Sequence, residues 1–417
     1  MDRQDQGGRP PRRRLLHRRA VLKLGAGAAA LAAGGVRGAV AQAADEIRIG
    51  WLKPLTGPLA SSFNPLYISP QLALDEINAA GGILGKRLVK VEVDDQASPA
   101  QQPIAMRRLI ETGVRYVVGP VGSSQALASL EVSTPQKILQ ATYATASEVG
   151  DGKRYPFHYQ FNFTSDAQVT RHVEYLAKVG AKKIGILVED SAAGASTRDA
   201  ILKQAPAKGL QIVSDQTFPI KSTDMTPFLR KLRSDGAEAL DTHISNNVDV
   251  TQFLVGLSRI GWKPVVVGHT GLLFAGTPGA VPESARYPDI YAATFSALTY
   301  TDAEPPSERI RAYAKKILAS DVPDSLIGPA ATTPFYDFLF ALKYAAEKAR
   351  SADPEAIKTV LDGSTSVAGL FGNMSFTADK HTAYGPDVVA MAIANSTDDP
   401  LAKEYRGLLR RRAPGVA

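Results

Sequence analysis

Residues 116–147, which read YVVGPVGSSQALASLEVSTPQKILQATYATAS, determine the fold that we expect for this chain. An apolar run at residues 116–118 is followed by a turn of small residues at 119–124 and by a short helical segment. The apolar pair Ile138-Leu139 comes next, and a second polar turn occupies residues 142–145. This order indicates two half units of the βαβ type placed back to back. Each turn then follows the carboxyl end of a strand.

These two turns form the binding site that the residues predict. In open α/β sheets, ligands bind beyond the carboxyl ends of the strands, because N–H groups at helix N-termini point there without partners and favour an anion. The hydroxyl groups of Ser123, Ser124 and Thr145 can donate to the same anion. We therefore expect a cradle for a carboxylate. The alternative is that the two serines cap the following helix and that Thr145 only closes a turn.

Strands and helices also alternate on the N-terminal side of this stretch. Apolar residues recur with the strand period at residues 47–52 and 88–93, and with the helix period at 65–80 and 100–112. The first of these helices is expected to stop at Gly81-Gly82, a common C-terminal cap. A βαβα order of this kind predicts a parallel sheet with helices on both faces.

A second run of the same kind begins beyond Tyr155. The expected strands cover residues 183–188, 210–214, 239–243, 265–268, 290–295 and 388–393, and the expected helices cover 197–208, 224–234, 248–260, 306–318 and 333–350. Asp353 and Pro354 predict the start of a further helix that reaches Leu361. The final residues 410–412, three arginines, are expected to form a solvated tail. We predict the α/β class with two doubly wound lobes.

The net charge of the chain comes from its first 44 residues. They contain nine basic and two acidic residues, whereas the whole chain has 48 basic and 41 acidic ones. The part beyond residue 44 therefore carries 39 charges of each sign. A nucleic-acid-binding surface would leave a basic excess in that part, so we expect no nucleic-acid partner. About 373 residues also remain there, which is more than one hydrophobic core usually serves.

Residues 1–43 have the features of an export signal. A basic segment precedes an apolar stretch at residues 24–36 that is too short to span a bilayer, and Ala41-Gln42-Ala43 forms a cleavage signal. Residues 17–23, HRRAVLK, resemble the twin-arginine motif, and a general secretory signal is the alternative. The chain has no Cys, which excludes a lipid anchor at the cleavage site and zinc sites of the Cys type. We expect a periplasmic protein, cleaved near Ala43.

Six motifs distributed over the chain carry a resemblance to a known family. They are IGWLKPLTGP at residues 49–58, ALDEINAAGGILG at 73–85, VDDQASP at 93–99, residues 116–124, TPFLRKLRSDG at 226–236 and GWKPVVVG at 261–268. In these motifs the chain resembles the type I periplasmic solute-binding proteins of ABC importers, of the leucine/isoleucine/valine-binding kind. The run ALDEINAAGGILG is the most specific of the six.

The resemblance implies a fold of two α/β lobes that close on a solute around a hinge. Three crossovers would join the lobes, near residues 158–161, 294–300 and 371–376. Each lobe would then be discontinuous in the sequence. Lobe 1 would comprise residues 44–160 and 297–373, and lobe 2 residues 161–296 and 374–417.

The resemblance also implies a set of solute-binding residues on lobe 1. The solute carboxylate would lie against the loop at Gly122, Ser123 and Ser124 and against the turn at Tyr143, Ala144 and Thr145. These residues coincide with the cradle expected from the strand ends. Ser62 and Phe63 would shape the pocket for the side chain of the solute.

On lobe 2, the implied solute-binding residues are Ala193, Asn246, His269 and Thr270. Two of these positions depart from the pattern of amino-acid-binding relatives. Thr270 stands where those relatives carry an acid that pairs with the solute ammonium, and Ala193 stands where they carry a Tyr beside a Gly. A buried ammonium without a partner is unfavourable by several kcal/mol. The departures therefore favour an aromatic or branched acid without an α-amine over a free amino acid.

The resemblance implies a receptor that is not an enzyme and that delivers its solute to an inner-membrane permease and its ATPase, as a monomer without a cofactor. A sensor subunit for a small amide or acid is the main variant. His243 and His269 both follow predicted strands, with Asp241 nearby, so an exported hydrolase or a metal pair is a further alternative. The residues predict no catalytic constellation and no metal site, since the chain lacks a nucleophile elbow and a phosphate-binding loop.

Overall fold

The computed structural model describes residues 46–277, 279, 281–323, 326, 333–395 and 398–415. The predicted export signal at residues 1–43 lies outside this part of the chain. No helix within the described ranges has the length and apolar character that crossing a membrane requires.

Strands and helices alternate along most of the described chain. The strands are β1 (Glu46–Lys53), β2 (Arg87–Asp94), β3 (Tyr116–Val121), β4 (Leu139–Tyr143), β5 (His158–Gln160), β6 (Lys183–Glu189), β7 (Gln211–Phe218), β8 (Ala239–His243), β9 (Val265–Gly268), β10 (Ile290–Phe295), β11 (Thr299–Tyr300), β12 (Val367–Ala368), β13 (Asn373–Met374), β14 (Val389–Ile393) and β15 (Arg410–Arg411). The helices are α1 (Ala60–Phe63), α2 (Ile68–Ala79), α3 (Gln102–Glu111), α4 (Ser123–Ser133), α5 (Ser165–Lys178), α6 (Ala192–Gln204), α7 (Thr226–Ser234), α8 (Asn247–Arg259), α9 (Glu308–Leu318), α10 (Phe335–Ala349), α11 (Pro354–Asp362) and α12 (Pro400–Glu404).

Two sheets organise these elements. The first has the strand order β2-β1-β3-β4-β5, and β3 pairs in parallel with both β1 and β4. The second has the order β14-β10-β9-β8-β6-β7, in which only the β10–β14 pair is antiparallel among the pairs described. We call the first sheet with its helices lobe 1 and the second with its helices lobe 2. The prediction of two doubly wound α/β lobes is confirmed.

An aromatic cluster lies where the chain passes between the sheets. The ring of Phe163, which follows β5, lies 5.1 Å from the ring of Phe295 at the end of β10. The ring of Phe295 lies 5.1 Å from that of Phe371 and 5.2 Å from that of Tyr384. Asp337 on α10 accepts hydrogen bonds from the Phe371 N–H and the Tyr384 hydroxyl. Buried aromatic packing therefore surrounds three of the segments that run between the lobes.

The segment after β13 lies beside lobe 1, although the sequence assigns residues 374–417 to lobe 2. Two isolated backbone β-bridges join this segment to lobe 1. Thr382 pairs with Gln160 of β5, and Lys380 pairs with Asp151. Only from β14 onward does the chain pair with the second sheet. The assignment of the chain to lobes at residue 374 stays a prediction, and these bridges favour a later boundary.

Besides the short helices α1 and α12, which the sequence analysis did not predict, two longer helices differ from their sequence-based expectation. Helix α5 is absent from the expected elements, and α6 begins at Ala192, five residues before the predicted start. Both helices have their N-caps on hydroxyl side chains, Thr164 for α5 and Ser191 for α6. The residues Ala192-Ala193-Gly194 have weak helix periodicity, so the cap was the stronger signal there.

The prediction of a solvated tail at residues 410–412 is wrong. Arg410 is 1% exposed, and its guanidinium donates to the carbonyl oxygens of Ala394 and Leu273 at 2.8 and 3.1 Å. Burial lowers the pKa of Arg410 to about 10. These arginines are part of the folded structure because β15 pairs with β11 and because the carbonyl oxygens of Ala394 and Leu273 need hydrogen-bond donors.

Candidate functional site

A cavity of about 220 Å³ lies between the two lobes. Because a water molecule occupies roughly 30 Å³ of liquid, this space is large enough for a small organic molecule. Ten predicted site residues line it: Ser62, Phe63, Gly122, Ser123, Ser124, Tyr143, Thr145, Ala193, His269 and Thr270. The structure thus brings most of the predicted set together around one space.

Two predicted site residues, Ala144 and Asn246, do not line the cavity. Successive residues at the end of β4 point to opposite sides, so Ala144 packs in a buried cluster with Val149 while its two neighbours face the cavity. Asn246 is fully buried and caps α8, since its Oδ1 accepts a hydrogen bond from the Asp249 N–H at 3.0 Å. The sequence placed Ala144 in a turn after a strand, and the family resemblance implied Asn246, but neither gave the direction of the side chain.

The lobe 1 wall is built on the N-terminus of α4. Gly122 occupies the N-cap with a φ of 102°, and no side chain caps the helix. This φ lies in the left-handed region that favours glycine, and a Cβ would also lie 2.3 Å from the Gln125 Oε1 atom. The capping alternative for Ser123 and Ser124 is wrong, because both lie inside the first turn of the helix. The first-turn N–H groups of α4 therefore have no side-chain acceptor at the N-cap.

The Ser123 hydroxyl joins the two predicted turns. Its oxygen accepts hydrogen bonds from the N–H groups of Thr145 and Ala146, both at 3.1 Å. Because the oxygen is the acceptor in both bonds, the hydroxyl proton stays available to a solute. Thr145 is 4% exposed, and its Oγ1 atom has no hydrogen-bond partner. Two hydroxyl groups of this wall are thus placed to donate into the cavity.

Two histidines form part of the lobe 2 wall. The rings of His243 and His269 stack with centroids 4.4 Å apart. Burial lowers the pKa of His269 to about 4 and lowers the pKa of His243 well below its usual value. Both imidazoles are therefore neutral near pH 7. Their contribution to the wall is polar but uncharged.

His269 Nδ1 accepts a hydrogen bond from the N–H of Gly271, which also lines the cavity, whereas the partner of His243 lies behind the cavity wall. His243 Nδ1 lies 2.9 Å from the hydroxyl of Thr197, which is fully buried and does not line the cavity. Asp241, expected near the two histidines, pairs instead with His172 at 2.8 Å, and both side chains are fully buried. Within the described residues, no three His, Cys, Asp or Glu side chains are placed to hold a metal ion.

Sequence reasoning missed Glu189, an acid in the lobe 2 wall. Its side chain ends β6, lines the cavity and is 3% exposed. One carboxylate oxygen accepts from the Ser191 hydroxyl at 2.9 Å, and the other accepts from the Ser245 N–H and hydroxyl at 2.9 and 2.8 Å. Burial raises the pKa of Glu189 to about 7. Its place at the carboxyl end of a strand was the available signal, the same one that identified the lobe 1 turns.

Asn162 is a second residue that sequence reasoning missed. It follows β5, is fully buried and lines the cavity, and its Nδ2 atom has no hydrogen-bond partner. Apolar residues from both lobes complete the lining, namely Leu59, Leu66, Val121, Ile220 and Phe274. The cavity therefore combines an apolar body with a few buried polar groups, as small-molecule sites usually do.

Three serines of lobe 1 make hydrogen bonds to lobe 2, and we call these the cross-lobe serine contacts. Ser62 Oγ donates to Asn247 Oδ1 at 2.8 Å, and Ser124 Oγ accepts from the Ala192 N–H at 3.0 Å. Ser147 Oγ donates to Asp166 Oδ2 at 2.7 Å. The structure therefore represents a closed arrangement of the two lobes.

Comparison with known proteins finds relatives of this chain over most of its length. A model of the periplasmic binding protein family matches residues 46–399. A Leu/Ile/Val-binding protein homolog 8 from Brucella abortus is 30% identical over 233 residues, which cover 53% of this chain and 57% of that relative's own length. Leu/Ile/Val-binding protein BraC3 from Rhizobium johnstonii is 26% identical over 346 residues, 79% of this chain and 87% of its own.

Solved structures of the same fold cover more of the chain than these two relatives do. A type 1 periplasmic binding protein from Bordetella pertussis matches with a TM-score of 0.73 and 22% identity, over 84% of this chain and 96% of its own. The substrate-binding protein LivJ from Streptococcus pneumoniae, in complex with isoleucine, matches with a TM-score of 0.68 and 23% identity, over 83% and 95%. A solute-binding protein from Rhodopseudomonas palustris, in complex with 3,4-dihydroxybenzoic acid, matches with a TM-score of 0.70 and 19% identity, over 84% and 93%. The fold is that of the type I periplasmic binding proteins, and the chain belongs to the periplasmic binding protein family.

Proposed function

We propose that this chain is the extracytoplasmic solute-binding receptor of an ABC importer and that it binds a small apolar carboxylate between its lobes. The observation that carries the proposal is the set of donors on lobe 1: the uncapped N-terminus of α4, the hydroxyl protons of Ser123 and Ser124, and the partnerless Thr145 hydroxyl. A carboxylate accepts several such bonds at once, each contributing roughly 1.5–3 kcal/mol. The apolar lining would hold the remainder of the solute.

The relatives support this proposal at the level of solute class. Two of them are named for leucine, isoleucine and valine, one solved structure holds isoleucine, and another holds a dihydroxybenzoic acid. All of these solutes carry a carboxylate beside an apolar or aromatic body. We therefore propose an amino acid or an aromatic or branched acid as the solute, an inner-membrane permease with its ATPase as the partners, and the periplasm as the location.

A role without catalysis fits the polar groups of the cavity. The hydroxyl group next to His243 belongs to Thr197, which lies behind the wall and not against the cavity. A solute-binding receptor should release its solute unchanged. Incubation of the protein with simple esters and amides, followed by chromatography of the products, tests this point, and turnover above the buffer rate would favour the hydrolase alternative.

Thermal-shift and calorimetric measurements test the proposed solute class. The panel pairs free acids with their methyl esters: leucine, 4-methylpentanoate, phenylalanine, 3-phenylpropanoate and 4-hydroxybenzoate. A bound acid at about 100 times its dissociation constant stabilises the protein by roughly 2.7 kcal/mol and raises the melting temperature by several degrees. The esters lack the charge that the α4 N-terminus would bind, so they should have no such effect. Equal shifts for esters and acids would contradict the carboxylate proposal.

A further inference from the structure

Asn162 is a buried amide of the cavity lining whose donors are unused. Its side chain is fully buried, and its Oδ1 atom accepts a hydrogen bond from the Phe163 N–H at 2.9 Å. That bond fixes the orientation of the amide, since only the oxygen can accept from an N–H group. The Nδ2 atom is then left without a partner among the described residues. Buried polar groups of folded proteins nearly always have a partner, so we expect the missing acceptor on the solute.

The first passage of the chain between the lobes places Asn162 beside the predicted carboxylate-binding turn. Before Asn162, the Phe161 N–H donates to the Thr142 carbonyl at 3.2 Å. After Asn162, the Ser165 N–H donates to the Thr145 carbonyl at 2.7 Å. Neighbouring strands lie about 4.8 Å apart. The Asn162 amide and the Thr145 hydroxyl, which both belong to cavity-lining residues, therefore serve neighbouring atoms of one small solute.

The proposed carboxylate does not need the Asn162 amide. A carboxylate has about four acceptor sites. The N–H groups at the start of α4 and the hydroxyls of Ser123, Ser124 and Thr145 already supply donors for these sites. The acceptor for Asn162 is therefore a further atom of the solute that lies close to the carboxylate.

We propose that Asn162 binds an oxygen on the carbon next to the carboxylate, so that the solute of this receptor is an apolar 2-oxo or 2-hydroxy acid. This inference rests on the proposed function and names its solute class. A carbonyl or hydroxyl oxygen on that carbon accepts a hydrogen bond from the amide, whereas the ammonium group of an amino acid has only donors and would oppose those of Asn162. An unsubstituted acid would leave the Nδ2 atom without an acceptor.

The buried groups of the lobe 2 wall agree with a solute that has no ammonium group. The Thr270 hydroxyl donates to a backbone carbonyl at 2.7 Å, so the position that the family resemblance assigned to an acid is occupied by an internal hydrogen bond. The Glu189 carboxylate accepts from the hydroxyls of Ser191 and Ser245 at 2.9 and 2.8 Å. Asp190, which also lines the cavity, is exposed. The buried acid of this wall is therefore engaged by its own lobe.

Calorimetry on the purified protein tests the inference with four solutes that share one hydrocarbon body: 4-methyl-2-oxopentanoate, 2-hydroxy-4-methylpentanoate, 4-methylpentanoate and leucine. We expect the wild type to bind the 2-oxo acid or the 2-hydroxy acid roughly tenfold more tightly than 4-methylpentanoate and leucine. The first two solutes show which oxygen the amide prefers. Asn162→Leu should weaken binding of the preferred acid roughly tenfold and leave 4-methylpentanoate within about threefold.

Asn78→Leu is the matched control on lobe 1. Asn78 lies on α2 and does not line the cavity. Both atoms of its amide are engaged, since Nδ2 donates to the Leu88 carbonyl at 2.9 Å and Oδ1 accepts from the Leu88 N–H at 2.8 Å. This variant should lower the melting temperature and leave the ratio of the solute affinities unchanged. If Asn162→Leu does not fold, the affinity ratios of the wild type test the same inference.

Four outcomes would overturn the inference. If the wild type bound 4-methylpentanoate as tightly as the oxygenated acids, the Asn162 amide would not contact the solute, and the proposed function would stand. Tighter binding of leucine than of the oxygenated acids would also leave the proposed function intact. An unchanged affinity ratio in Asn162→Leu would show that this residue does not select the solute. Failure of every carboxylate to bind would overturn the proposed function together with the inference.

Discussion

The two walls of the cavity present different kinds of polar group. Lobe 1 contributes uncharged donors, namely the backbone N–H groups of α4 and the hydroxyls of Ser123 and Thr145. Lobe 2 contributes two neutral imidazoles and two acids, Glu189, whose pKa is raised to about 7, and the exposed Asp190. Uncharged donors can bind an anion at any pH at which it is ionised, whereas the groups of the opposite wall change with pH. We infer that lobe 1 supplies affinity for a carboxylate and that lobe 2 decides which carboxylate is accepted.

The largest expected effect comes from Ser123→Ala on the lobe 1 wall. The change removes a donor to the solute and also leaves the buried N–H groups of Thr145 and Ala146 without their acceptor. We expect affinity to fall roughly 10- to 100-fold and the free energy of unfolding to fall by about 1–3 kcal/mol. Calorimetry and denaturant unfolding measure the two quantities.

Ser133→Ala is the control for that substitution. Ser133 lies on the same helix and is buried, but its hydroxyl has no hydrogen-bond partner. Its removal should leave affinity unchanged and stability nearly so. If the two variants bound the solute equally well, the lobe 1 wall would not be the source of affinity.

The acid sensitivity of lobe 2 should depend on His269. The pKa of this residue is about 4 in the folded state, whereas an unfolded His has a pKa of about 6.5. The unfolded chain therefore binds the proton more readily, so this contribution to stability is complete above about pH 6.5 and is lost as the pH falls towards 4. His269→Asn keeps an acceptor for the Gly271 N–H. In this variant the free energy of unfolding should fall less steeply with decreasing pH, by up to about 1.4 kcal/mol for each pH unit. Urea unfolding of the wild type and of the variant at pH 7, 5.5 and 4.5 measures this free energy. Parallel declines in the two proteins would show that His269 is not the source of the acid sensitivity.

Two substitutions at neighbouring positions of lobe 1 should have different effects. We expect Thr145→Val to weaken solute binding and Thr142→Val to lower stability. The Thr145 hydroxyl is buried without a partner, so its removal should weaken solute binding about tenfold with little change in stability. The Thr142 hydroxyl lies 2.8 Å from His158 Nε2, so its removal should lower stability by about 1 kcal/mol and leave affinity unchanged. The reverse pattern would show that the Thr145 hydroxyl does not face the solute.

The smallest expected effect concerns the cross-lobe serine contacts. Ser147 does not line the cavity, but its hydroxyl donates to Asp166 of lobe 2. Ser147→Ala should therefore weaken binding about threefold by destabilising the closed arrangement, and the change should appear in the dissociation rate. Stopped-flow kinetics measures this rate. A change confined to the association rate would show that the contact does not stabilise the closed lobes.

Part of this protein could be predicted from the order of its residues alone. The strands at residues 265–268 and 290–295 were expected at the positions where they occur, because buried strands have largely apolar runs bounded by polar turns. The lobe 1 wall was predictable for a related reason. Its donors follow two strands within 32 residues of sequence, and parallel strands end at the same edge of a sheet.

The rest was decided by tertiary structure. Glu189 became part of the cavity only because the end of β6 faces the end of β8 and the N-terminus of α4, which lie far from it in the sequence. Arg410, within a run of three arginines, became buried because carbonyl oxygens of distant segments needed its donors. Asn246 was expected in the cavity but caps its own helix. Local patterns determine where strands and helices form, whereas the direction of a side chain and its distant partners depend on how the lobes pack.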